Sequence, residues 1–187
     1  MVRYCFFAAV ILALSSKRLK LCRQTKPKGY LRLINMHQEK LAKWFLTAAA
    51  LSTLIVPIGV DAIVLADGHM NNPAWLPHAK LHCAMSFFAA ISLGGSALAI
   101  LKVRPVTDRF SMTLAAFLGS AFWIGLIAAG FWPGTSYGFL NDPVLGNISE
   151  PELGGITIYP NVVASLLTIA TALVGYWLTK KKRSIDH

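Results

Sequence analysis

The sequence predicts an all-α integral membrane protein, a four-helix bundle with both termini cytoplasmic. Three observations carry that prediction. The chain of 187 residues is 55% hydrophobic but only 14% charged, with a mean hydropathy of +0.55. That is too little charge to coat a water-facing surface. Four stretches are long and apolar enough to cross a bilayer as helices, which takes ~20 residues. Finally, sixteen of the eighteen lysines and arginines fall in three clusters that four crossings would gather on one side. The net charge of +10 is therefore spread between spans rather than on a nucleic-acid-binding face, and no nucleic-acid partner is expected.

The first stretch is Trp44–Ala66, and it holds the only charge inside any span, Asp61. Pro57 and Gly59 predict a kink just before that aspartate. The second is Leu81–Leu101, with Ser86, Ala90 and Gly94 at four-residue steps. Small side chains at that spacing let helix backbones approach in lipid, within one chain or between copies in a homo-oligomer. The third and fourth are Phe110–Trp132 and Asn161–Thr179. Inside a bilayer the backbone must satisfy its own hydrogen bonds, so each span should be helical.

Nine basic residues lie between Lys17 and Lys43, three in Lys102–Arg109 and four in Lys180–Arg183. By the positive-inside rule these regions are cytoplasmic, and the Asp67–Lys80 and Pro133–Pro160 loops lie outside. Trp44, Trp132 and Trp177 fall at span ends, where interfacial indoles belong. The membrane is then a bacterial inner membrane or an organelle membrane.

Residues 1–35 read as a basic extension set apart from a membrane domain over residues 36–187. Tyr4–Leu14 is too short to span and has the length of a signal-peptide core. Cleavage there would send the basic cluster outside, against the charge rule. A start at Met36 and a short interfacial helix are the other two readings. Cys5, Cys22 and Cys83 form no C-x-x-C pair, so neither a disulfide framework nor a thiol relay is expected.

Chemistry concentrates on the outer side. His69, His78 and His82 lie within fourteen residues, beside Asp67, Asn72, Trp75 and Lys80. Pro77 suits the first turn of a helix, because its missing N–H would be unbonded there anyway. A helix starting at Pro77 sets His78 and His82 on one face. His82 then lies roughly 7–8 Å inside the helix start, the same depth as Asp61 counted from its own helix end. Asp61 and His82 are therefore expected to meet.

Three uses of these residues stay open. In acid–base chemistry, His78 and His82 would carry the proton, with Asp61 orienting and Lys80 holding an anionic group. In metal binding, His78 and His82 would supply two ligands from one face, with His69, Asp67 or Asp61 completing the shell. The residues between them, Ala79, Lys80 and Leu81, lack the glutamate of a hydrolytic H-E-x-x-H helix, so no metalloprotease is implied. The bland use is interfacial anchoring. His69, Asn72, Trp75 and Asp67 are candidate binding residues. The sequence names no cofactor. The loop Pro133–Pro160 carries Tyr137, Asn141, Asp142, Glu150 and Glu152 among turn residues, and reads either as a lid or as a solvated connector.

The string His69-Met70-Asn71-Asn72-Pro73-Ala74-Trp75-Leu76-Pro77-His78-Ala79-Lys80-Leu81-His82 resembles the H-x-x-N-P-x-W-x-P-H-A-K-x-H hallmark of a family of small four-span membrane proteins. The likeness covers roughly residues 36–180. It implies the four-span fold and singles out His69, Asn72, Pro73, Trp75, His78, Lys80 and His82, without assigning them a reaction. Some members of that family carry an acetyltransferase label, but no phosphate-cradling or coenzyme A site is visible here. The function expected is a membrane protein with a polar outer-face site that binds or modifies a lipid or other amphiphile. The alternative is a non-enzymatic membrane subunit or transport accessory that uses the histidine loop for partner contact.

Overall fold

The computed structural model describes residues 28–139, 142, 144–146 and 149–181, with side chains from Leu33 to Lys180. The apolar run Tyr4–Leu14, Cys5, Cys22, Asn141, Pro143 and the tail from Lys182 lie outside the described residues. Residues 1–37 and 38–187 form separate compact units. The described part of the first is helical, and the second holds the bundle.

Among the described residues four α-helices make the fold: α1 (Lys28–Gly59), α2 (Pro77–Val103), α3 (Arg109–Ala129) and α4 (Pro160–Lys181). Each contains a window long and apolar enough to cross a membrane. Their bounds follow local chemistry. Pro77 occupies the first turn of α2. Asp108 caps α3, its carboxylate accepting from the Ser111 N–H at 3.1 Å and from the Ser111 hydroxyl at 2.6 Å. The helix α1 begins sixteen residues before Trp44. Once a helix is nucleated, it propagates cheaply, and Lys40, Leu41, Ala42 and Lys43 are good helix formers.

Helix α1 is the hub. Ala42, Leu46, Ala49, Ala50 and Thr53 are buried along one stripe, at the i, i+4, i+7 spacing of a single face. Glycines of the other three helices face it, two of them, Gly94 and Gly175, closer than a side chain would allow. A Cβ on Gly94 of α2 would stand 2.7 Å from the Ala50 carbonyl oxygen and 2.8 Å from the Leu54 nitrogen. One on Gly119 of α3 would stand 3.4 Å from the Ala50 nitrogen, and one on Gly175 of α4 would stand 2.9 Å from Leu46. Leu46 opposite Gly175, and the Ser52 hydroxyl 2.8 Å from that of Thr168, make α1 and α4 antiparallel. That register sets Trp44 level with Trp177, both exposed, as an aromatic belt requires. From Trp44 to Val64, about 30 Å of helix matches the hydrocarbon thickness.

The interior is small and the exterior large. Ala90, Ala97, Ala115 and Ala172 are buried, while Phe88, Phe110, Phe117, Leu167 and Leu173 face outward. Only 22–28% of each spanning window is buried, which suits a surface in contact with lipid. The buried Thr53 and Trp123 side chains pair with each other. The Thr53 hydroxyl donates to the Gly119 carbonyl at 2.6 Å and accepts from the Trp123 indole N–H at 2.9 Å.

The expected kink takes a particular form. Pro57 has no N–H to give the Thr53 carbonyl, and α1 passes into a π-helical turn over Val60–Val64. It is closed by the Leu65 N–H on the Val60 carbonyl at 2.7 Å. Asp61 lies in that turn. A 3₁₀ turn, Ala66–Gly68, follows.

Candidate site at the histidine end of the bundle

The chain leaving α1 folds back on itself through short-range bonds. The Asn71 N–H reaches the Ala66 carbonyl at 2.7 Å, and the Asn72 N–H reaches that of His69 at 3.1 Å. Asn72 is fully buried and clamps the turn from within. Its amide donates to the Gly68 carbonyl at 3.1 Å, and its side-chain oxygen accepts from the Ala74 N–H at 2.9 Å. Its place is therefore in the framework of the loop.

This turn returns His69 to the end of α1. Its Nδ1 lies 3.0 Å from the Leu65 carbonyl oxygen. A carbonyl can only accept, so Nδ1 carries the proton and Nε2 is the nitrogen free to gain or lose one. Nε2 faces the Asp61 carboxylate at 3.8 Å, with the two side chains 18% and 30% exposed. The imidazole is also held edge-on between two aromatic rings, Trp75 at 5.6 Å and Phe139 at 5.9 Å.

The expected meeting of Asp61 and His82 is corrected here: the ion-pair partner of Asp61 is His69. Depth counted along an unbroken helix did not allow for the π turn, which holds an extra residue per turn and re-aims what it carries. His82 instead faces His78. Their Nε2 atoms are 3.0 Å apart, with ring planes nearly perpendicular at 87°. Both residues are exposed in the first turns of α2. Lys80, two residues from each, projects from the opposite side of the helix. Asp67 is exposed in the 3₁₀ turn.

The polar residues thus form two pairs, Asp61–His69 and His78–His82. Among the described residues no group of three His, Cys, Asp or Glu converges in the manner of a metal shell, so the expected three-histidine set of His69, His78 and His82 is not assembled.

The long loop after α3 is folded rather than a bare connector. The Tyr137 hydroxyl donates to the Ile127 carbonyl at 2.6 Å, and the Asn161 amide to the Tyr137 carbonyl at 2.9 Å. Glu150 accepts from the Phe139 N–H at 3.3 Å. A small hairpin pairs Glu152–Leu153 (β1) with Ile156–Thr157 (β2) across Gly154 and Gly155, both at positive φ. The Asp142 carboxylate accepts from the Val144 and Leu145 N–H groups at 2.8 Å each. Leu145 lies against Gly68, where any Cβ would collide with it. The loop therefore covers His69, with Phe139 on the ring and Leu145 on the turn beneath.

Phe139, Leu145 and the Leu65 carbonyl had no signal in the sequence. A loop aromatic has no periodicity, and a backbone acceptor is common to every residue. Asp142 stood out only as one loop carboxylate among several.

No protein-family model, curated protein or solved structure matches this chain. The fold defines the class: a multi-pass membrane protein built as a bundle of four apolar helices. At the end of its first span it carries a carboxylate–imidazole pair, beneath a folded loop.

Proposed function

We propose that the histidine end of the bundle is extracytoplasmic and binds a lipid or other amphiphile, with Asp61 and His69 as the acid–base pair of the site. The observation that carries this is the placement of Asp61. An ionisable side chain within a span is costly and is retained for a use, and this one faces the one free nitrogen of an imidazole whose other nitrogen is tied to the Leu65 carbonyl. Such a tether fixes both tautomer and ring direction. Proton exchange with a bound headgroup is the chemistry this geometry supports. Trp75 and Phe139 offer apolar edges beside it, as an amphiphile needs. The motif string then divides by role: His69 exchanges the proton, Asn72 clamps the loop, Trp75 borders the ring and Pro77 starts the helix that presents His78 and His82.

The test is photolabelling of the purified full chain in detergent with a lysophospholipid carrying an aryl azide in its headgroup. Saturable labelling is expected in the segments holding Trp75 and Phe139. It should be displaced by excess unreactive lysophospholipid and weakened in Asp61→Asn. Labelling spread evenly over lipid-facing positions such as Phe117 and Leu167, and unmoved by competitor, would overturn the reading.

A further inference from the structure

The second pair, His78 and His82, has a geometry suited to a different ligand. We infer that it is a chelating site for a divalent transition-metal ion that prefers imidazole, Zn²⁺ or Cu²⁺, at the surface of the histidine end. The inference stands apart from the amphiphile site, since it uses neither Asp61 nor His69.

Four features carry it. The two Nε2 atoms are 3.0 Å apart. Two nitrogens bound to one ion at ~2.0–2.1 Å are separated by about 2.9 Å at a right angle and about 3.3 Å at a tetrahedral angle. The spacing found lies between the two, so the nitrogens already stand at a chelating separation and the rings need only turn to aim both lone pairs at one ion. Second, both ligands stand one helical turn apart on the rigid first turns of α2, which lowers the ordering cost of binding. Third, both side chains are exposed, so an ion can enter from water.

Fourth, the charge that would oppose a cation is aimed elsewhere. Lys80 follows His78 by two residues and precedes His82 by two, about 200° and 160° round the helix. Without metal, the pair is held by one Nε2–H donated to the other Nε2. On binding, that proton moves to Nδ1 of its own ring, and both lone pairs turn to the ion. The neutral pair therefore accepts the ion with no net loss of a proton.

With two protein ligands, the remaining positions belong to water or to an incoming oxygen donor. Imidazole suits zinc and copper, and Cu²⁺ heads the first-row affinity order.

The experiment uses untagged full-length protein in detergent, stripped with a chelator, and titrated calorimetrically with ZnCl₂ and separately with CuCl₂. One equivalent should bind at this site. His78→Gln and His82→Gln should each reduce its affinity to that of the double variant, because half a chelate retains little of its strength. His69→Gln should keep it, which separates failure here from failure of the amphiphile site. For Cu²⁺, electron paramagnetic resonance should show two imidazole nitrogens, falling to one in either single variant. Circular dichroism of the exposed-site variants should match the wild type. Stripped wild-type protein that takes up no ion, or single variants that bind as tightly as wild type, would overturn the inference.

Discussion

Asp142 illustrates how one side chain holds the loop over His69 in place. The backbone N–H of Leu145, then that of Val144, and the nearby charge of His69 hold its carboxyl below the ordinary carboxylate value of 3.8. A lowered folded-state value means that the ionised form is favoured by folding. The stabilisation is present in full above that ordinary value and is lost as pH falls through the lower folded one. Leu145 is the residue seated on Gly68, so protonating Asp142 should loosen the cover over His69. Hydrogen exchange at the Val144 and Leu145 amides, corrected for intrinsic rates, should show protection falling only in that acid range. In Asp142→Asn the pH dependence should vanish. Protection that stays constant through the acid range in the wild type would separate the loop from this carboxylate.

At the scale of elements, glycine decides how closely the helices pack. Gly94 and Gly95 are neighbours on α2 with opposite surroundings. A Cβ at Gly94 meets the Ala50 and Leu54 backbone within 3 Å, and one at Gly95 meets nothing within 4 Å. Backbone on α1 cannot swing aside as a side chain could, so Gly94→Ala should separate the two helices. The expected cost is about 1–3 kcal/mol. Gly95→Ala should be neutral or stabilise by up to about 1 kcal/mol through helix propensity. Unfolding of both variants in mixed micelles checks the contrast, and equal stability would mean that α1 and α2 do not pack at Gly94. The four-residue spacing of Ser86, Ala90 and Gly94 already showed that α2 had a small face. It did not show that α1 was the neighbour, because α3 and α4 also offer glycines.

For the whole molecule, the decisive pattern is the inversion of size between interior and exterior. Most Leu, Phe and Ile side chains lie outside, while Ala, Gly, Ser and Thr fill the centre around a few large residues, Leu46, Leu101, Met112 and Trp123. Without a hydrophobic force between helices in lipid, close approach and interior hydrogen bonds hold the bundle. The Thr53–Gly119–Trp123 bonds join α1 to α3 in that way. Orientation rests on charge: among the described residues, Lys40, Lys43, Lys102, Arg104, Arg109 and Lys180 lie at the helix ends opposite His69, and Lys80 alone lies near it. With native cysteines replaced, Glu152→Cys in the hairpin should react with an impermeant maleimide in intact cells. Thr107→Cys, between α2 and α3, should react only after permeabilisation. The reverse pattern would turn the molecule over and place the histidine end in the cytoplasm.

The sequence by itself determined whatever depends on local periodicity. Four long apolar stretches must become helices because hydrocarbon offers no other partner for the backbone. Pro77 set the start of α2, and four-residue spacing put His78 beside His82, since both follow from one helix alone. What joins distant segments was decided only by the tertiary structure. Asp61 meets His69 rather than His82 because a π turn after Gly59 re-aims the carboxylate and Asn72 folds the following loop back over it. Phe139 reaches the same imidazole from seventy residues away, on a loop held by Tyr137, Asp142 and Glu150. Neither arrangement has a period or a fixed spacing to read, because each depends on where two separately folded stretches of chain come together.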